Sequence, residues 1–228
     1  IVIILWTIIP AISLIFFLIV ASFHFGKEDS QFLILKSSYY HQLLFFLKGL
    51  LIILAPMYFH FNETISIFKL LLIDNEIFYE TLDLIEMNKI LLFGIFLSTL
   101  SNILLFIEKF ELKKFTIFLD YFSILIINFF FSPLVAFTIY FCFLHSIRHG
   151  ISLIYEIDKN NLINGLKIFI KKALPLTILA ASFCLIGLYF LHSLYDLNSS
   201  IIKTIFIGLA SLTFPHILLE YLLEKNEK

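Results

Sequence analysis

The chain has 228 residues, 61% of them hydrophobic and only 14% charged, and its mean hydropathy is +1.00. That balance excludes a soluble globular domain and defines an integral membrane protein. A net charge of -1 offers no basic surface to nucleic acid and no strongly charged face to any other partner.

Apolar runs near the roughly 20 residues that cross a bilayer set the organisation. The first extends from about Val2 to Phe25, with Pro10 as a kink. It ends at His24-Phe-Gly26-Lys-Glu-Asp29, where Gly26 is expected to stop the helix. The second runs from about Tyr40 to Phe61 and carries Lys48-Gly49, Pro56 and His60. Residues 62–88 hold Glu63, Asp74, Glu76, Glu80, Asp83 and Glu86 against Lys69, too many charges to span, and are expected to form an acidic, partly helical extramembrane segment. The third span, about Lys89 to Ile107, is joined by Glu108–Lys114 to the fourth, about Phe115 to Phe131. Ser132-Pro133 permits a reversal or kink before the fifth, about Pro133 to Tyr155. Glu156–Lys172 is polar enough to lie along the membrane surface; the sixth span covers about Ala173 to Leu191 and the seventh about Ile201 to Leu223.

These runs are too long and too uniformly apolar for strands. The expected fold is therefore all-α, a polytopic transmembrane helical bundle of about seven spans in a single integral membrane domain over residues 1–228. No Met or basic segment precedes Ile1, so a further helix is expected upstream. Cys142 and Cys184 sit in apolar runs without a CxxC or other spaced framework and read as small core residues.

If the spans alternate, one side collects Lys27, Lys36, Lys109, Lys113, Lys114, Lys159, Lys167, Lys171, Lys172, Lys225 and Lys228, and the other keeps little beyond Lys69 and the acidic segment. By the positive-inside rule the lysine-rich loops and the C-terminus are cytoplasmic, in a multi-pass protein of the cell's inner membrane.

The stretch most suggestive of chemistry is His145-Ser-Ile-Arg148-His149. Histidines four residues apart project from one face of a helix, and Arg148 is the only arginine in the protein. Ionisable groups inside the membrane are costly and commonly face the bundle interior. The plain alternative is a pair of packed histidines satisfied by backbone carbonyls, with Arg148 reaching to the interface. With the topology above, His24, His145, His149 and His216 fall in one half of the membrane on three spans. His60 and His192 fall at the opposite surface, and His41 is expected to be a wet side chain near the cytoplasmic interface. Converging neutral imidazoles without a thiolate suit iron, copper or zinc, and a site within the membrane suits a lipidic substrate. Asp29 and Asp120 are candidates to hold the second ring nitrogens. Other classes remain open. A transporter or channel could use these histidines as a proton or ion relay, with Asp120 as its clear mid-membrane carboxylate. A retinal-binding photoreceptor would need a lysine deep in a helix, and the late span offers Lys203 only near its start.

The residues also resemble a family. His24-Phe-Gly-Lys-Glu-Asp29 is similar to the HFGxxD motif, and His145-Ser-Ile-Arg-His149 to the HSxRH motif, of the Brp/Blh family of membrane β-carotene 15,15'-dioxygenases. Lys48-Gly49 with Pro56…Phe59-His60 is similar to its RG…P…FH segment, Lys48 standing for Arg, and Thr213-Phe-Pro215-His216 to its TxPH segment. The resemblance implies an Fe(2+)-dependent oxidoreductase in which dioxygen cleaves β-carotene at its central double bond, giving retinal for a rhodopsin chromophore. It also implies that His24, His145 and His149 are catalytic iron ligands; from their own chemistry Asp29 and Arg148 are expected to support them, Arg148 by holding ligand loops or a carboxylate such as Asp29. The family's earlier PHGxxD motif has no counterpart before His24, so a further ligand is expected on an upstream helix or from His216.

Overall fold

A computed structural model of the protein describes residues 2–30, 38–71, 73, 75–107 and 114–226. Among them the chain is helical nearly throughout and contains no strand. In order, the elements are α1 (Val2–Ile8), α2 (Pro10–Glu28), α3 (Tyr39–Phe59), α4 (Phe61–Leu70), α5 (Glu76–Met87), α6 (Ile90–Ile107), α7 (Phe115–Phe130), α8 (Pro133–Ile139), a π-helical stretch (Tyr140–Ser146), α9 (Ile147–Ile157), α10 (Leu162–His192) and α11 (Leu197–Asn226).

Six of these units are long and apolar enough to cross a membrane: α2, α3, α6, the continuous rod Pro133–Ile157, α10 and α11. Helix α7, with 16 residues, is a shorter apolar helix at the place of the fourth expected span. Pro10 separates α1 from α2 by occupying the first helical position, where its missing N–H leaves no bond unmade. Ser132-Pro133 works the same way at the start of α8. The acidic segment is largely helical, as α4 and α5; Asp74 within it and the Glu108–Lys113 connection lie outside the described residues.

Four expectations change. Cys142 and Cys184 are exposed on their helices rather than packed in the core. The polar stretch before the sixth span does not form a separate surface segment from Glu156 to Lys172. After the Asn161 side chain caps the Asn164 N–H, one 31-residue helix runs from Leu162 to His192; Lys167, Lys171 and Lys172 are good helix formers, and the helix continues through Pro175 in its interior. His41 is buried rather than wet: it is 7% exposed, and its Nδ1 accepts from the Ser38 backbone N–H (3.1 Å) in a reciprocal cap at the start of α3. Gly26 does not end α2, which continues through Glu28.

Gly26 serves close packing instead. A Cβ there would lie 1.8 Å from the Phe45 carbonyl oxygen, and one at Gly49 would lie 1.7 Å from that of Ser22. Ser22 and Gly26 on α2 thus face Phe45 and Gly49 on α3 at backbone contact, the device by which small residues bring membrane helices together where no hydrophobic force acts between them. Helix α6 joins α3 through buried hydroxyls, with Ser101 donating to the Leu44 carbonyl (2.6 Å). Helices α2, α3 and α6 form the tightest part of the bundle, α7 packs on α3 and α6, and α10 packs at the periphery against α9 and α11. Trp6 anchors α1 by donating from its indole nitrogen to the Leu71 carbonyl (3.0 Å).

Candidate metal centre

The α2–α3 contact decides what happens at the end of α2. With the helices in backbone contact, the Lys48 ammonium reaches past Gly26 and donates to the Asp29 carbonyl (3.2 Å) and the Ser30 hydroxyl (2.7 Å). That fixes the turn after α2, and both Asp29 and Ser30 are buried. Lys48 thereby acts as the cation expected at this place, one pairing at 3.9 Å with Asp120 on α7.

Asp29 then receives two donors from the rod formed by α8, the π stretch and α9. Tyr140 donates its hydroxyl to Oδ2 (2.8 Å), and His145 presents Nδ1 to Oδ1 at 3.2 Å. In an α-helix, residues five apart point roughly 140° away from one another. Tyr140 and His145 are five apart, and the π winding, with its i→i+5 hydrogen bonds, brings them to one face so that both grip one carboxylate. One turn on, Arg148 makes a bidentate pair with Asp120 (2.7 and 2.5 Å) and stands 3.7 Å from Asp29. Asp120 therefore holds the arginine and Lys48 rather than a histidine, and Arg148 ties α9 to α7. His149 Nδ1 lies 3.1 Å from Glu28 Oε2.

Around these pairs four imidazoles close a ring. Centroid separations are 5.8 Å for His24–His145, 6.4 Å for His145–His149, 6.1 Å for His149–His216 and 5.4 Å for His216–His24. His24 and His145 are buried, at 6% and 7% exposure, while His149 and His216 stand nearer the surface. All four histidines singled out from the sequence thus meet. His60 and His192 do not join them: His60 bonds the Asn128 carbonyl at 2.8 Å, and His192 ends α10 at the surface.

The donor chemistry fits an imidazole-preferring metal such as iron, copper or zinc. Metal–nitrogen bonds of about 2.1 Å would set the centroids of four tetrahedral imidazoles roughly 5 Å apart, and the separations here are somewhat wider. Accordingly, among the described residues no three His, Cys, Asp or Glu side chains hold a ready-formed metal cage. The arrangement is an open set of donors. Its outer carboxylates are already in place, since an acidic partner on one ring nitrogen is the usual way a ligating histidine is oriented. Glu28 was not recognisable from the sequence, because nothing in a HFGKED string says which acid faces which helix.

The surroundings are apolar. Phe25 packs edge-on against His145 (4.8 Å between centroids). A cleft of about 370 Å³ between α1, α2 and α11 is lined by Trp6, Phe16, Val20, Thr213 and Phe214 among others. Val20 is one turn before His24, and Thr213 is one turn before His216, so this cleft ends beneath the imidazoles.

Fold and site together define a helical membrane protein with a histidine and carboxylate cluster inside its bundle. Comparison with known sequences makes this specific: the β-carotene 15,15'-dioxygenase family model matches residues 1–224, and the chain belongs to that family. It is similar to a curated β-carotene 15,15'-dioxygenase from uncultured marine bacterium 66A03, with 28% identity over 219 residues, covering 94% of this chain and 73% of the relative. No solved structure matches it.

Proposed function

We propose that this protein cleaves β-carotene with dioxygen at the 15,15' double bond, giving two molecules of retinal, at an iron(II) centre held by His24, His145 and His149 with His216. The observation that carries the reading is the meeting of these four imidazoles from α2, the π–α9 rod and α11, two of them backed by carboxylates. No amino-acid side chain activates dioxygen, so the bound metal supplies that chemistry. The chain's own residues do the rest. Asp29 accepts a hydrogen bond from His145 Nδ1–H and so leaves Nε2 as the nitrogen that would ligate. Tyr140 and Lys48 hold Asp29 from either side. Arg148, engaged by Asp120, fixes the start of α9 and with it the spacing of His145 and His149. The cleft beneath the rings offers a polyene an apolar bed that excludes water.

In a relay, Asp120 would be a wet carboxylate along an ion path; its bidentate pairing with Arg148 and its burial speak against that role. The lysine pattern supports an inner-membrane protein with its lysine-rich loops in the cytoplasm. Expression in a β-carotene-producing bacterium tests the activity directly. Cells are expected to lose orange colour and accumulate retinal, and the purified protein is expected to lose activity to an iron chelator and regain it with Fe(II). Undiminished β-carotene with no retinal would overturn the assignment.

A further inference from the structure

Glu28 occupies one of the two unspecified places in the HFGxxD pattern. It lies four residues after His24, hence on the same face of α2. Its side chain is only 9% exposed, and its Oε2 is 3.1 Å from His149 Nδ1. His24 and His216 are within electrostatic reach of the same carboxylate. An anionic acceptor at Nδ1 requires the ring proton to be on that nitrogen. We propose that Glu28 is a positioning residue of the metal centre, holding His149 as the Nδ1–H tautomer so that Nε2 ligates. This rests on the metal reading above.

The pairing has an internal parallel. Consecutive acids at the end of α2, Glu28 in its last turn and Asp29 at its C-cap, address consecutive turns of the facing rod, Asp29 on His145 and Glu28 on His149.

The test uses the purified protein in detergent, labelled with 15N-histidine, and Co(II) as the probe metal. NMR of the metal-free protein, with His149 assigned from the spectrum of His149→Gln, is expected to show His149 as Nδ1–H. In Glu28→Ala it is expected to change to Nε2–H, and Co(II) affinity to fall about 10–100-fold. Glu28→Gln keeps an acceptor oxygen and is expected to fall between wild type and Glu28→Ala in affinity. A His149 that is Nε2–H in the wild type, or that keeps its tautomer in Glu28→Ala with Co(II) affinity within about twofold of wild type, overturns the proposal. If Glu28→Ala does not fold, Glu28→Gln decides: weakened Co(II) binding supports the proposal and unchanged binding overturns it. A wild-type protein that shows the Glu28-dependent tautomer and takes up no Co(II) overturns the metal reading while leaving the Glu28–His149 pairing in place.

Discussion

His145 and His60 are the same residue type on the same bundle, and they end in opposite chemical states. His60, between α3 and α4, turns Nε2 to the Asn128 carbonyl at 2.8 Å, so that nitrogen carries the proton and the ring serves as a strut between α4 and α7. His145 turns Nδ1 to the Asp29 carboxylate, which places the proton there and gives Nε2 the lone pair. The first histidine is finished as a hydrogen-bonding group; the second is prepared as a ligand. What separates them is which nitrogen is committed: His60 gives Nε2 to a carbonyl and has the Glu63 carboxylate 3.6 Å from its Nδ1, whereas His145 gives Nδ1 to Asp29 and packs its ring beside His24 and His149.

The sharpest way to break this comparison is to remove each ring in turn. His145→Ala or His149→Ala is expected to lower retinal formation more than about 100-fold, measured by chromatography of pigment extracts. His60→Ala should lose one hydrogen bond, about 1 kcal/mol of stability, and keep activity within a few-fold. Equal loss in both would erase the distinction. Gly26→Ala addresses the backbone contact that places Asp29. Its Cβ would meet the Phe45 carbonyl at 1.8 Å, so α2 and α3 must part, at a cost of about 1–3 kcal/mol or more, seen as a lower unfolding temperature in detergent. Asp29→Asn leaves the shape and removes the charge. Metal affinity is expected to fall about 10–100-fold with only a small change in unfolding temperature.

The smallest effect lies away from both histidines. The Ser199 hydroxyl and backbone N–H donate to Asp196 and hold its carboxyl below the ordinary aspartate range. A depressed folded-state pKa contributes stability above the unfolded value, about 3.9, and that contribution disappears as pH falls through the folded value. Asp196→Asn should therefore flatten the fall in unfolding temperature below about pH 4; an unchanged profile would remove Asp196 from this role.

Sequence by itself determined the membrane class, the order of apolar helices and the identity of the four histidines. Hydrophobic length and spacing along one chain are local properties, readable without knowing what each helix touches. It did not determine why Gly26 matters, because a helix stop and a close crossing both call for glycine, and only the position of α3 separates them. Nor did it reveal the π winding of Tyr140–Ser146, since the spacing HxxxH is compatible with an ordinary helix. The assignment of Glu28 to His149, Asp29 to His145 and Asp120 to Arg148 was decided by tertiary structure alone. Pairing inside the membrane depends on which charges are buried face to face, and neighbouring acids in a sequence carry no mark of the helix they will meet.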